Sequence, residues 1–244
     1  MKLITSLVIV FITSLYADSK SIKFASGPVD GEYHKYVDRL NEKGFKFKNI
    51  VSIGSGDNLK KLYEDKVDLA ISQVDILKFI NKKIDNSIKD VMPLYYEEIY
   101  LLVKDDINSL KDLNNKNIYC GGFDSGSCFT ANFLEHEYNL HFNYVTLDDK
   151  DGIDAYISVI GTPATKYKYK IKGYKFISLP RNKKMDLKYK RGVITHKDYA
   201  YIKTHIETYS VLSTIVVRKK DVVKYKKLID KIKLKTKGIL KWVL

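Results

Sequence analysis

The chain has 244 residues, of which 45% are hydrophobic and 30% are charged. This length and composition fit one large globular domain or two smaller lobes, and they exclude disordered, collagen-like and multi-span membrane proteins. The formal net charge is +14, yet only 4 of the 43 basic residues are arginine, and nucleic-acid sites favour the bidentate arginine fork. We therefore attribute the charge to a general bias in composition and expect no nucleic-acid partner.

An uncharged apolar run opens the chain. Lys2 precedes Leu3–Leu15, and Tyr16-Ala17 leads into the polar Asp18-Ser19-Lys20. A run of about 13 residues with these flanks is typical of a secretory signal peptide and is too short for a transmembrane span. A buried first strand or helix is the weaker alternative, because polar sequence follows at once. We expect residues 1–17 to be removed near Ala17 and the mature chain to be exported to a periplasm.

Strand and helix patterns alternate along the mature chain. Strands are predicted at 22–26, 45–53, 67–72, 91–104, 117–120, 141–146, 155–160, 173–179 and 211–217. Helices are predicted at 31–43, 57–65, 74–81, 109–113, 128–138 and 221–244. Repeated βα units of this kind predict parallel sheets covered by helices.

The order of these elements predicts two α/β lobes. Two series of βα units are separated by long extended segments, which should cross between the lobes near 97–104 and 193–211. We expect the first lobe to contain residues 18–104 plus 205–244 and the second lobe to contain residues 105–204.

Three Gly/Ser-rich turns each follow a strand and precede a helix, at 27–31, 54–57 and 121–127. In open α/β sheets, ligands bind at the carboxyl ends of strands, where helix N-termini present free N–H groups. A single turn of this kind could be no more than a capped loop, with Asp57 or Ser127 as the helix N-cap. Three in one chain favour a shared pocket for a small anion or carboxylate.

Catalytic and metal-binding patterns are incomplete. The turn at 54–56 lacks the third glycine of a dinucleotide fingerprint, and Ser127 stands where a phosphate-binding loop needs lysine. No Gly-x-Ser-x-Gly elbow occurs, which removes the commonest signature of exported hydrolases. The five histidines form no ligand pattern, and the adjacent Glu97 and Glu98 should face opposite sides of a strand. We therefore expect no enzyme, no metal and no other cofactor.

The two cysteines, Cys120 and Cys128, flank the third turn. In an oxidising periplasm they could form a disulfide that pins the turn. Two buried free thiols are the alternative, and the sequence leaves both open.

The C-terminal segment 224–244 is predicted to be a cationic amphipathic helix. Packing on its own lobe is the favoured placement for such a helix. The alternative is contact with an anionic membrane, which would make the chain a cationic interaction protein at the membrane surface and not a transport protein.

The motifs, in their order, resemble those of one known family. The first is Gly27–Tyr33, and the second joins Gly54-Ser55-Gly56-Asp57-Asn58-Leu59 to Val67-Asp68-Leu69-Ala70-Ile71-Ser72-Gln73. The third joins Leu94–Glu98 to Ser109–Leu113, the fourth is Gly121–Cys128, and the fifth joins Asp154-Ala155 to Gly161-Thr162-Pro163. Together, over roughly residues 21–220, they resemble the TAXI-type solute receptors of tripartite ATP-independent periplasmic (TRAP) transporters.

That resemblance implies a two-lobe, type II periplasmic binding fold, with a mainly parallel sheet flanked by helices in each lobe and two hinge crossings. It implies a receptor that closes over a small carboxylate such as glutamate and docks on integral subunits of a sodium-driven membrane transporter. We expect a monomer, and the alternative function is a receptor of an ABC importer or a sensor with the same fold. The expected ligand-binding residues are Gly27, Tyr33, Ser55, Asn58, Gln73, Tyr96, Asp124, Ser125, Ser127 and Pro163.

Acidic residues in the turns depart from the family pattern. Asp30, Glu32 and Asp124 stand where the family has uncharged residues, and acidic groups in a cleft repel a carboxylate and attract a cation. Asp30 and Glu32 can point outward on a first helical turn, whereas Asp124 lies in the middle of its turn. An amino acid would satisfy both features, since its carboxylate would meet backbone N–H groups and its ammonium would meet Asp124. We therefore expect an amino acid as the solute.

The signal-peptide hypothesis predicts a processed protein. Mass spectrometry of the periplasmic fraction should find an N-terminus near Asp18, because cleavage is expected after the small residue Ala17. An intact Met1 in that fraction would contradict the hypothesis.

Overall fold

The structure is a computed structural model that describes residues 21–236, except for the side chains of residues 150 and 151. The predicted signal peptide, residues 1–17, lies outside the described residues, and so does the last part of the predicted C-terminal helix, residues 237–244. Within residues 21–236, no helix has both the length and the apolar character needed to cross a membrane.

The described residues contain ten β-strands and six α-helices. The strands are β1 (Lys23–Gly27), β2 (Lys48–Val51), β3 (Leu69–Gln73), β4 (Ile88–Lys104), β5 (Lys116–Tyr119), β6 (Phe142–Tyr144), β7 (Ala155–Ile160), β8 (Tyr174–Phe176), β9 (Lys190–Ile194) and β10 (Ile206–Arg218). The helices are α1 (Glu32–Glu42), α2 (Ser55–Tyr63), α3 (Val74–Asn81), α4 (Gly126–Glu137), α5 (Lys183–Asp186) and α6 (Val222–Thr236). Short 3₁₀ turns join several of them.

All ten of these strands are hydrogen-bonded into one mixed sheet, in the order β2-β1-β3-β10-β4-β7-β5-β6, with β8 paired to β4 and β9 to β10. Parallel pairs lie toward the two ends of the sheet. At one end β1 pairs with β2 and β3, and we call these three strands and their helices the first half. At the other end β5 pairs with β6 and β7, and we call these the second half. The remaining pairs are antiparallel and centre on β4 and β10. The predicted α/β class is confirmed.

Strands β4 and β10 belong to both halves of the sheet. β4 pairs with β10 over 88–98 and with β7 over 98–103, while β10 pairs with β3 and β4 and then with β9. They overlap the two segments predicted as crossings, 97–104 and 193–211, although β10 begins only at Ile206. The residue limits of the lobes, 18–104 plus 205–244 and 105–204, stay a prediction.

Helices cover both faces of the first half. Phe24 and Ala25 are neighbours on β1 and point to opposite faces, so Phe24 packs with α1 and α6 and Ala25 with α2 and α3. In α6, Tyr225, Ile229 and Ile232 are buried against the sheet. The described part of the C-terminal helix therefore packs on the chain itself, which is the first of its two predicted placements.

Three elements differ from the sequence pattern. The predicted strand at 45–53 shortens to β2, because Phe45 and Phe47 stack on each other with ring centroids 5.4 Å apart and pack into the core under α1. The pattern predicts neither β9 nor α5, which are five and four residues long. Elements this short carry too little periodicity to stand out.

One buried amide connects three strand ends in the first half. Asn58, on α2, is 0% exposed. Its Nδ2 donates to the carbonyl oxygens of Ser26 and Ile71 at 3.1 and 2.8 Å, and its Oδ1 accepts from the Ser52 hydroxyl at 2.5 Å. The side-chain amide of Asn58, one of the predicted ligand-binding residues, thus has all these partners within the chain.

We expect Asn58→Ala to destabilise the fold by about 3 kcal/mol, because it leaves buried carbonyl and hydroxyl groups without partners. Urea unfolding at neutral pH measures the loss. The matched control is Asn108→Ala, since Asn108 is exposed, and it should change the free energy of unfolding by less than about 1 kcal/mol. Equal losses in the two variants would contradict this account of Asn58.

Candidate functional site

The second and third Gly/Ser-rich turns touch each other, although they belong to opposite halves of the sheet. The N–H groups of Gly56 and Asp57 donate to the backbone oxygen of Asp124 at 3.0 and 3.2 Å. A Cβ on Gly56 would lie 2.7 Å from that oxygen, and one on Gly122 would lie 2.5 Å from Ile53 Cγ2. Only glycine permits so close an approach, and the contact closes the space between the halves at this point.

This contact occupies the N-terminus of α2. Its N-cap is Gly54, and Asp57, the predicted N-cap, lies one turn in, where its carboxylate accepts the Ile53 N–H at 3.1 Å and pairs with Lys61 at 2.5 Å. Asp124 meets α2 through its backbone oxygen. Its side chain is exposed and forms no hydrogen bond to a described residue. The predicted pairing of Asp124 with a solute ammonium therefore finds no support in the geometry.

The third turn is held by its own side chains. Ser125 is the N-cap of α4, since its Oγ accepts the Cys128 N–H at 3.2 Å and donates to the Cys120 oxygen at 3.2 Å. Ser127 was the predicted cap, but its Oγ instead accepts the Val159 N–H of β7 at 2.9 Å. Cys120 and Cys128 form a disulfide across the turn, with their Cα atoms 4.8 Å apart. Ser125 and Ser127, both predicted to bind the ligand, thus have structural partners.

The start of α4 keeps free donors. The N–H groups of Gly126 and Ser127 have no acceptor among the described residues, as is usual for the first positions of a helix. Gly126 also lies directly against Gln73, because a Cβ at Gly126 would be 2.5 Å from Gln73 Oε1. The end of β3 in the first half therefore meets the beginning of α4 in the second.

A group of side chains at this meeting point forms what we call the buried polar cluster: Tyr33, Ser55, Gln73, Tyr95 and Glu97. The Tyr33 hydroxyl donates to Glu97 Oε2 at 2.5 Å, and the Tyr33 and Tyr95 rings lie 6.2 Å apart. Ser55 Oγ accepts the Gln73 N–H at 3.2 Å. Glu97 is 4% exposed and Gln73 2%, so the cluster is enclosed by the protein.

Glu97 is uncharged at neutral pH. Burial raises the pKa of its carboxyl to about 8, and the hydrogen bonds from Tyr33 and Gln73 only partly oppose that rise. Burial, followed by the negative charge that Glu97 would carry, likewise raises the pKa of Tyr33 well above its usual range. A protonated carboxyl and a phenol can share one short hydrogen bond without burying a charge.

Two polar atoms of the cluster have unused hydrogen-bonding capacity. Gln73 Oε1 and the Tyr95 hydroxyl are buried and have no partner among the described residues. A buried polar group without a partner costs about 1–3 kcal/mol, and proteins leave few such groups. Such groups recur where a ligand completes the hydrogen bonding.

Of the predicted ligand-binding residues, the structure brings three together. Tyr33, Ser55 and Gln73 all belong to the buried polar cluster. Gly27 lies at the end of β1 with a φ of 149°, a conformation that favours glycine, and its oxygen accepts the Ser52 N–H. Pro163 is exposed beyond β7.

Tyr96, the predicted ligand-binding residue of β4, lies outside the buried polar cluster. Tyr96 points away from the cluster, and the Lys190 ammonium lies 4.5 Å from its ring centroid. Successive side chains of a strand face opposite sides, so Tyr95 and Glu97 share the cluster's face and Tyr96 does not. The motif at 94–98 contains both missed residues, but only the contact with Tyr33, 64 residues away from Glu97, shows which face of β4 the cluster occupies.

The described residues contain no group of three His, Cys, Asp or Glu side chains placed to hold a metal ion. At the cluster, Tyr33, Gln73, Glu97 and the start of α4 offer groups for hydrogen bonding and ion pairing.

Solved structures match the chain, whereas no protein-family model matches its sequence and no curated protein matches it significantly. One match is a Listeria monocytogenes protein described as an L-cystine ABC transporter, with a TM-score of 0.53, 17% identity, and coverage of 88% of this chain and 89% of that one. Another is the GluR0 ligand-binding core from Nostoc punctiforme in complex with L-glutamate, with a TM-score of 0.52, 14% identity, and coverage of 88% and 92%.

At these identities the matches show the fold alone. The chain has the mixed α/β fold of periplasmic binding proteins, as the sequence predicts. The narrower assignment to the TAXI family stays a hypothesis.

The raised pKa of Glu97 predicts a pH-dependent stability. The folded chain holds a proton on Glu97 up to about pH 8, whereas the unfolded chain releases it near 4.5, the ordinary pKa of a glutamate side chain. The stabilisation that comes from protonated Glu97 is complete below pH 4.5. It is lost as pH rises from 4.5 to about 8, because the folded state binds more protons than the unfolded state in that range. Glu97→Gln should remove this component when the free energy of unfolding is measured by urea titration across the window.

Glu42→Gln is the control, because Glu42 is exposed on α1. It should keep the wild-type dependence on pH. The same slope in wild type and Glu97→Gln would refute the assignment of a buried, protonated Glu97.

Proposed function

We propose that the chain is an exported receptor that captures an amino acid between its two lobes and delivers it to a membrane transporter. The observation that carries the proposal is the buried polar cluster. In it, Tyr33 and Gln73 of the first half and Glu97 of the shared strand β4 meet the start of α4 in the second half. A solute held there would contact both halves at once, so its binding would favour closure. The likeness in fold to a ligand-binding core solved with L-glutamate supports this solute class.

The cluster suits an ammonium group. An ammonium has three N–H donors. They can donate hydrogen bonds to the Glu97 carboxylate and to Gln73 Oε1, a buried acceptor that has no partner among the described residues. A buried carboxylate is stable when it is paired with a cation and hydrogen-bonded. Glu97 thus takes the role that the sequence suggested for Asp124.

The start of α4 suits the carboxylate of the same solute. The free N–H groups of Gly126 and Ser127 lie at the positive end of a 12-residue helix, a favourable place for an anion. Gln73 lies beside both Gly126 and Glu97, so the two subsites are about one side chain apart. That spacing fits an α-amino acid, in which the amine and the carboxylate share one carbon.

Entry of a solute requires the second and third turns to separate. The hydrogen bonds from Gly56 and Asp57 to Asp124 join the halves across the cleft, and β4 and β10 connect them on the far side. Opening about these two strands would break two backbone hydrogen bonds and expose the cluster. This movement is the hinge closure expected of a two-lobe binding protein.

The compartment and the transporter are proposed from the sequence. The signal-peptide pattern that ends near Ala17 supports export to a periplasm, and the order of the motifs supports a TRAP-type transporter as the partner of a monomeric receptor. An ABC importer is the alternative partner, which the likeness in fold to the Listeria monocytogenes protein supports. Binding of an amino acid at the cluster is the same proposal in both cases.

Calorimetric titration with matched small molecules tests the solute class. The probes are L-alanine, L-glutamate and L-cystine, together with propionate and glutarate, which lack the amine. We expect an amino acid to bind and its deaminated analogue to bind on the order of one hundred-fold more weakly, because the analogue lacks the ammonium that would pair with Glu97 and donate to Gln73 Oε1. The affinity for the amino acid should also rise with pH until about 8, since Glu97 must first lose its proton.

Glu97→Gln and Glu98→Gln form a matched pair for this test. Glu98 is the next residue on β4 but faces the other side, where the Ser210 hydroxyl donates to it at 3.3 Å. Glu97→Gln should weaken amino-acid binding on the order of one hundred-fold, and Glu98→Gln should bind as the wild type does. Loss of affinity in both variants alike, or in neither, would argue against the assigned site.

A further inference from the structure

A wide groove lies between α3 and α4, on the face of β4 opposite the buried polar cluster. Its volume is about 1130 Å³, slightly above the usual range for small-molecule sites. Its floor is formed by Tyr96 and by residues 210–212 of β10, and its walls by α3, α4 and the segment 187–190. We call it the aromatic groove after Phe79, Tyr96, Phe129, Phe133 and Tyr189, which line it.

The aromatic rings form a continuous surface across the two halves. Phe79 of α3 and Phe129 of α4 meet edge to face at 6.0 Å, and Phe133 lies 5.5 Å from Tyr189. Phe79 is 48% exposed and Leu187, at the rim, is 87% exposed. Contiguous exposed apolar surface of this kind marks a binding site more often than scattered apolar residues do.

The charges around the groove are mainly positive. Lys78, Lys82 and Lys190 line it, and among the described side chains none of the three has a carboxylate within ion-pairing distance. Lys188 also lines it, lies 3.9 Å from the Phe133 ring centroid, and pairs with Glu137 at 3.1 Å. Lysines above an aromatic floor form a site with a cationic rim and an apolar base.

The acidic groups of the groove have partners within the chain. Asp75, at the start of α3, accepts the Tyr189 hydroxyl at 2.8 Å and the Ile76 N–H at 2.8 Å. Glu137 pairs with Lys188, and Lys184 lies 3.7 Å from it. Four lysines line the groove against these two carboxylates, so its net charge is positive and complementary to an anion.

We propose that the aromatic groove is a second binding site, which takes an amphipathic carboxylate with a long aliphatic or aromatic body. The apolar body would cover Phe79, Phe129 and Phe133, and the carboxylate would pair with lysines at the rim. The volume and the lining fit such a molecule, whereas a small polar solute would leave most of the apolar surface in water. The site is separate from the buried polar cluster, since Tyr96 and Glu97 face opposite sides of β4.

The two sites share the same pair of helices. Gln73 immediately precedes α3, and Gly126 is the first residue of α4. A molecule in the groove that contacts both helices would fix the spacing of their N-termini at the cluster. If the proposed function holds, the groove ligand and the amino acid change each other's affinity by the same factor.

Calorimetric titration of the full chain with decanoate, decanol and decylammonium tests the proposal. We expect decanoate to bind most tightly, decanol more weakly and decylammonium weakest, because the rim is cationic. Lys190→Gln should weaken decanoate about two-fold to five-fold, the range for an exposed ion pair. Phe79→Ser, at a half-exposed position that tolerates substitution, should weaken all three ligands.

Lys46→Gln is the control, because Lys46 is exposed and away from the groove lining, and it should bind like the wild type. Glu97→Gln should still bind decanoate, so the failure of the proposed amino-acid site and the failure of the groove site give different results. Absence of decanoate binding, or decanol binding as tight as decanoate with no effect of Lys190→Gln, would overturn the proposal. In the first case a macromolecular partner becomes the candidate occupant of the groove.

Discussion

The antiparallel pairing of β4 with β10 is the constraint on which the rest of the structure depends. It joins the two parallel halves of the sheet and places Glu97 opposite Val211 and Tyr96 opposite Leu212. Because side chains alternate along a strand, this one register directs Tyr95 and Glu97 to one face and Tyr96 to the other. A slip of one residue would exchange the occupants of the polar cluster and the aromatic groove. Both candidate sites therefore originate in a single set of hydrogen bonds.

Glycine has a second role besides forming turns here. At Gly56, Gly122 and Gly126, a Cβ would collide with the opposite half of the molecule, so the missing side chains determine how closely the halves approach. The N-terminus of α2 is thereby capped by a backbone oxygen from the other half. Among the described residues, the first N–H groups of α1 and α4 have no acceptor, so one of the three helix ends expected to be open to an anion is closed.

Sequence patterns predict the order of elements, the two crossings and the three turns, because these depend on local periodicity and glycine content. They place α3 at residues 74–81, as observed. They miss the side-chain roles that depend on distant partners: Asn58 bonds to groups 13 and 32 residues away, and Glu97 meets a tyrosine 64 residues away. The N-caps fail for a different reason, since Gly54 and Ser125 precede the predicted caps by two or three residues and both choices are chemically acceptable.

The unpartnered groups of the cluster affect whether the two halves close with or without a bound solute. Whenever the two halves of a receptor close without cargo, the Gln73 oxygen and the Tyr95 hydroxyl are withdrawn from water and gain nothing in return, at about 1–3 kcal/mol for each. Closure around a molecule with matching donors avoids that loss. Under the proposed function, the closed shape would be populated mainly by loaded receptors, and docking by unloaded ones would be rare. The two unpartnered atoms would then disfavour the empty closed state relative to the loaded one.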